Sequence, residues 1–144
     1  MKKEDSKILL SVCMVSYNQE QYVRDALDSI LMQKTDFAYE VIVSDDCSKD
    51  RTVEILNDYA VKYPNVRVIT GEKNLGYPNN QRRSLEAATG KYIALCDSDD
   101  YWTDPYKLQK QVDYLEAHPE CAICFHNVMH IYDGTTAHRS LLVP

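Results

Sequence analysis

Ile8 to Val15 is an unbroken apolar stretch except for one serine, Ser11. A segment with no polar face must be covered on both sides. In a soluble chain that marks an inner strand of a parallel sheet. The stretch ends abruptly at Ser16-Tyr17-Asn18, and an amphipathic pattern follows. From Gln19 to Gln33 the residues Tyr22, Val23, Ala26, Leu27, Ile30 and Leu31 recur at helical spacing.

The same alternation continues. Tyr39 to Ser44 reads as a second strand, with Glu40 a lone charge among apolar residues, and runs into Asp45-Asp46. Ser48 is the expected N-cap of a helix carrying Val53, Leu56, Tyr59 and Ala60, which Pro64 stops. Val66 to Thr70 is a third strand. Gly71 to Asn80 is loop-like, and a helix is predicted from about Asn79 to Thr89, terminated by Gly90. Lys91 to Cys96 is a fourth strand. Asp104-Pro105 predicts a cap and a first helical position for a helix bearing Leu108, Val112 and Leu115, closed by His118-Pro119. Cys121 to Tyr132 reads as a fifth strand, and residues 133–144 form a tail without pattern.

Strands alternating with helices through short connections predict an α/β fold: a mostly parallel sheet with helices on both faces. Its length of 144 residues fits one domain, residues 1–144. Ligands in such sheets bind beyond the carboxyl ends of the strands. Three polar clusters fall at those ends: Ser16-Tyr17-Asn18, Asp45-Asp46, and Asp97-Ser98-Asp99-Asp100.

The last cluster is costly to hold together. Like charges so close repel and raise each other's pKa unless a positive charge sits among them. A hard divalent cation, Mg²⁺ or Mn²⁺, supplies one and commonly leaves part of its shell to phosphate oxygens. A polar turn is the plainer reading, since Asp and Ser are common there. A net charge of −6 gives no general support for a nucleic-acid partner. An anionic ligand would need a local device such as the cation. Neither a phosphate-binding G-x-x-x-x-G-K-[ST] nor a G-x-G-x-x-G occurs.

No apolar run approaches a membrane span, and no signal-peptide core follows Met1. The five scattered cysteines suit reduced thiols, so the expected place is the cytoplasm or its membrane surface. Cys121, Cys124, His126 and His130 have the composition of a zinc set, but strand spacing puts Cys121 off the shared face. Buried thiols and strand histidines are the default. Trp102 reads first as packing and second as a sugar-stacking ring.

Four segments carry a family resemblance: Ser11 to Asn18, Val41 to Asp50, Asn74-Leu75-Gly76, and Gly90 to Asp100. In that order and spacing the chain resembles family 2 glycosyltransferases over about residues 8 to 120. The resemblance implies a GT-A fold, of which this is the Rossmann-like nucleotide-binding half. It implies a nucleotide-sugar donor, UDP-sugar favoured, with Mg²⁺ or Mn²⁺ and inverting transfer to a saccharide or lipid-linked acceptor.

Carried over residue by residue, Tyr17 would pack on the base, with Ser16 and Asn18 lining its pocket. Asp46 would accept from the base N–H, supported by Asp45. Asp97 would meet the ribose or the metal's outer shell, Asp99 would ligate the metal, and Ser98 lies within the same donor-binding set. Where the family often has Arg-Asn, this chain reads Gln81-Arg82-Arg83, and Arg82 is the phosphate-side candidate. No residue matches the family's general base, which the resemblance places in an acceptor half after Pro144. The rival reading is a nucleotide- or metal-binding module that transfers nothing. A phospho-accepting receiver domain is excluded, because it needs an acidic pair after the first strand, where Ser16-Tyr17-Asn18 stands.

Overall fold

The computed structural model describes residues 7–132 and 136–140. They divide into two compact units, one ending at Gln109 and the other beginning at Lys110. The first holds a four-stranded parallel sheet in the order β3-β2-β1-β4, formed by β1 (Leu10–Ser16), β2 (Tyr39–Asp45), β3 (Val66–Ile69) and β4 (Tyr92–Leu95). Central β1 is buried along its whole length, as its unbroken apolar run requires. Val12, Met14, Val41, Ile42 and Val43 are fully buried. Each such side chain contributes about 1.5–3 kcal/mol of hydrophobic stabilisation.

The intervening helices are α1 (Val23–Leu31), α2 (Thr52–Lys62) and α3 (Tyr77–Glu86). α1 and α3 lie on opposite faces, as side-chain contacts from adjacent positions show. Tyr39 donates its hydroxyl to the Ile30 carbonyl in α1, whereas the Cys13 thiol donates to the Ser84 carbonyl in α3. Tyr39 sits opposite Leu10 in register, and Cys13 points the other way, because neighbouring strand residues alternate faces.

The charge near the amino end of β2 has a structural use. Glu40 Oε1 accepts from Ser11 Oγ (2.7 Å), Thr89 N (2.9 Å) and Thr89 Oγ1 (2.6 Å). Ser11 Oγ in turn accepts from Gly90 N at 2.9 Å. The carboxylate thereby stitches two strands to the connection entering β4. Burial raises its pKa, but these donors and the Arg67 charge outweigh it and hold the group below its usual value.

Gly90 does not end α3 as expected; the helix stops at Glu86 with Ala87 as its cap. A Cβ at Gly90 would lie 2.7 Å from the Leu10 carbonyl carbon and the Ser11 nitrogen. Glycine lets this connection touch β1. Ser48 likewise is no N-cap: α2 starts at Thr52, whose N–H is taken by Asp50 Oδ1. The helix after Pro105 begins later than expected, as α4 (Lys107–Ala117). Its early N–H at Leu108 is capped by Gln33 Oε1, from just past the end of α1, and Gln33 Nε2 donates to the Asp104 carbonyl.

In the second unit the expected parallel fifth strand is corrected. Only Val128–Tyr132 is extended (β5), and it pairs antiparallel with β6 (Thr136–Ser140) in a separate two-stranded sheet. Thr136 to Ser140 lacks apolar alternation, so a pattern search passes over it; pairing with β5 makes it a strand. The rest of the tail, residues 133–135 and 141–144, lies outside the described residues. Cys121 and Cys124 are half-buried rather than buried, and His126 and His130 are exposed.

Two outcomes test this wiring. Gly90→Ala should prevent stable folding, because backbone stands where the methyl would go; a cooperative melt near that of the parent would refute it. Glu40→Gln should cost about 1–2 kcal/mol at neutral pH, as charged acceptors are the stronger ones. A depressed folded pKa gives stability present above the usual value of 4.5 and lost as pH falls through the folded value. Urea melts across acid pH should therefore show a shallower acid decline in Glu40→Gln.

Candidate functional site

The strand order changes direction at β1: β2 and β3 lie to one side and β4 to the other. Carboxyl ends that diverge at such a switch leave a crevice. A cleft of about 440 Å³ opens there. β1 contributes Ser16 and Tyr17, the end of β2 contributes Asp46, and the turn after β4 contributes Asp97, Ser98 and Asp99. All three polar clusters expected at the strand ends reach one cleft.

Their side chains differ in function. Asp46 is 3% exposed, and both its oxygens are engaged: Oδ1 accepts from Leu75 N (2.7 Å) and Oδ2 from Gly76 N (2.9 Å). A carboxylate offers about four acceptor sites, so each oxygen retains one. Gly76 has φ +79°, a conformation that favours glycine, and it opens α3 toward the cleft. Asp45 is fully buried and does not line the cleft. Its carboxylate accepts from the backbone N–H and the hydroxyl of Ser48 and forms the turn beside Asp46.

Asn18 is also absent from the lining. Its amide oxygen accepts from Lys49 N at 2.7 Å and its N–H donates to Ser48 Oγ at 2.9 Å. Among the described residues Asn18 and Cys47, at φ +52° and +66°, are the two non-glycine residues in the left-handed region, and they flank this clip. Such strain concentrates where a loop is held for a purpose.

Ser16 Oγ is buried, lines the cleft and finds no hydrogen-bond partner among the described residues. Buried hydroxyls are nearly always satisfied, so this one is open to a water or a ligand atom in the cleft. Tyr17 is 45% exposed at the rim. Arg82 does not line the cleft: it is exposed and paired with Glu86 one helical turn on, at 2.7 Å. Trp102 is buried with the Lys107 ammonium 4.0 Å from its ring centre, and lies outside the lining.

The acidic turn gathers closely. One carboxylate oxygen each from Asp97, Asp99 and Asp100 lies within 4.8 Å of the others. Burial, then the charges of Asp100 and Asp99, push the Asp97 carboxyl above its usual value. Beneath them the Cys96 thiol is pushed up to about 12, chiefly by burial, which leaves it protonated and inert. The all-oxygen donor set and its mutual repulsion fit a hard divalent cation. The zinc-like Cys and His set does not gather into such a group among the described residues.

Sequence reasoning missed Tyr77 and Asn80, which line the cleft from the first turn of α3. Burial, followed by the charge of nearby Asp97, raises the Tyr77 pKa. The available signal was the spacing of both residues from the Asn74-Leu75-Gly76 motif.

The signature of glycosyl transferase family 2 matches residues 11–143. The chain belongs to that family. An uncharacterized protein of Mycobacterium tuberculosis is 50% identical over 125 residues, covering 86% of this chain and 36% of its own length. The putative teichuronic acid biosynthesis glycosyltransferase TuaG of Bacillus subtilis is 36% identical over 96% of this chain and 54% of its own. Among solved structures, Staphylococcus aureus TarS 1–349 in complex with UDP superimposes with a TM-score of 0.69 at 34% identity, covering 78% of this chain and 33% of that one. The family 2 chain described here thus has the GT-A fold and spans only part of the length of these relatives.

Asp46→Asn should strain this family 2 cleft. An amide has one acceptor oxygen and would set its NH₂ against the N–H of Leu75 or Gly76. A stability loss of about 1–3 kcal/mol is expected. Amide exchange should quicken at residues 74–77, and protection equal to the parent's would show that the carboxylate does not hold that loop.

Proposed function

We propose that this chain binds a nucleoside diphosphate-sugar in the switch-point cleft and serves the donor side of an inverting glycosyl transfer. The observation that carries the reading is the meeting, in one cleft, of a partly used buried carboxylate, an unpartnered buried hydroxyl and a three-aspartate cluster. A base needs directional acceptors and donors, which Asp46 and Ser16 offer, and a diphosphate needs positive charge, which a cation held by the aspartates would bring.

Asp46 accepts from a base N–H through its remaining lone pairs. Ser16 Oγ bonds a second polar atom of the base or ribose, and the half-exposed Tyr17 ring packs on the base. Asp97, Asp99 and Asp100 would hold Mg²⁺ or Mn²⁺, which when bound stabilises the negative charge of a departing diphosphate. Tyr77 lines the same cleft as Asp97. Arg82 is dropped from the phosphate contacts because Glu86 occupies it. The uridine nucleotide is favoured by the similarity to TarS, solved with UDP and with UDP-GlcNAc. The same reading puts a saccharide or lipid-linked acceptor at the cleft mouth, in the cytoplasm or at its membrane surface. Among the described residues no helix is long and apolar enough to cross a membrane.

The cleft-lining carboxylates are Asp46, Asp97 and Asp99. The first is held by two backbone N–H groups and the others serve the cation, so none is free to take a proton from an acceptor hydroxyl. A positioned base is worth about 10²–10⁴ in rate. The chain by itself should therefore bind a donor nucleotide and transfer sugar slowly or not at all.

Two experiments test the reading. Calorimetry with UDP should show Mn²⁺-dependent binding that Asp99→Ala abolishes; equal heats with and without Mn²⁺ would sink the metal role. Incubation with Mn²⁺, UDP-sugars and candidate acceptors should yield at most slow donor hydrolysis. Transfer at rates typical of the family would show that a base lies among these residues.

A further inference from the structure

We propose that Arg83 is a positioning residue for nucleobase choice, acting through the single peptide unit that joins Asp45 to Asp46. This rests on the base-reading role given to Asp46 above. Arg82 points away from the sheet edge, but its neighbour turns inward. Arg83 Nη2 donates to the Asp45 carbonyl and to Asn80 Oδ1 (2.9 Å), while Nε donates to Ser44 Oγ (2.8 Å). All these acceptors are uncharged, and among the described residues Arg83 forms no ion pair. A part-buried guanidinium is thus spent on the end of β2 rather than on a carboxylate partner.

The peptide it grips is fixed from both sides. Its carbonyl, on Asp45, accepts from Arg83. Its N–H, on Asp46, donates to the Ser16 carbonyl at 2.8 Å. A peptide unit is planar, so fixing both ends fixes the plane and with it the position of the Asp46 Cα, from which the side chain leaves. Ser16, on the far side of the same unit, carries the unpartnered hydroxyl. Arg83 also orients Asn80, which lines the cleft and donates through Nδ2 to the Ser44 carbonyl at 2.8 Å. One guanidinium therefore sets the angle between the groups that would read a base. Lysine cannot reproduce this, since its compact ammonium lacks a planar fork of donors.

Gly71 offers independent access to the same contact. A Cβ there would lie 2.6 Å from Arg83 Nη1 and no closer than 3.7 Å to anything else. Gly71→Ala should displace the guanidinium without disturbing backbone. The two substitutions reach one interaction from different elements.

The test measures UDP and GDP affinities by calorimetry in Mn²⁺ for the parent, Arg83→Lys, Gly71→Ala and the double variant, with melts as a folding check. The parent should prefer UDP. Each single variant should lower the UDP:GDP affinity ratio about tenfold, the scale of one charge-assisted hydrogen bond. The double variant should fall no further, because coupled sites are not additive. Millimolar guanidinium chloride should restore the ratio in Arg83→Ala. If the parent prefers UDP while folded Arg83→Lys and Gly71→Ala keep its ratio, the positioning role is overturned and the nucleotide reading stands. If Arg83→Lys does not fold, Gly71→Ala alone decides. A parent that binds neither nucleotide, or both equally, overturns the reading and this proposal together.

Discussion

Central β1 is the constraint on which the rest depends. It pairs in parallel with β2 over its full length and with β4 over its first half. Because β1 lies between strands that arrive from opposite directions in the chain, its carboxyl end is the point where neighbours part. Ser16, Asp46 and Asp97 meet there for that reason, although they are far apart in sequence. Shift β1 by one residue and every side chain along it changes face. Ser11 would leave Glu40, Gly90 would lose its close contact, and the unpartnered Ser16 hydroxyl would leave the cleft.

The polar wiring reinforces that register at both ends. At the amino end, Glu40 gathers Ser11 and Thr89, so this charge in β2 secures the entry to β4. At the carboxyl end, the Ser16 carbonyl receives the Asp46 N–H, and Asp46 in turn seats the loop that starts α3. The first network stabilises and the second shapes. Each relies on one carboxylate: Glu40 is held mainly by hydroxyls and Asp46 by backbone N–H groups.

Much of this was legible in the sequence. The unbroken run of β1, the periodicity of α1 and the acidic turn after β4 each reflect a local requirement, and each lies close to where it was expected. The strand-end clusters were legible as a set, and Ser16, Tyr17, Asp46, Asp97, Ser98 and Asp99 do share the cleft. What could not be read depends on side-chain direction. Asp45 and Asp46 are adjacent, yet one faces a turn and the other the cleft. Arg82 and Arg83 differ by a rotation about α3. The cap of α4 comes from Gln33, more than seventy residues away, and no local pattern announces it. β6 exists only through its pairing with β5, so residue preference alone does not reveal it.

The outer strand of the parallel sheet has a colloidal consequence. β4 hydrogen-bonds to β1 alone within its sheet, and its Ile93 and Leu95 are 48% and 55% exposed. An apolar strand with a row of unshared amides is a template for the addition of another strand. Among the described residues that margin, rather than the acidic cleft, is the apolar edge most open to such addition. A lysine at position 93 or 95 would act as a gatekeeper, keeping the sheet soluble without reaching the residues around Asp46.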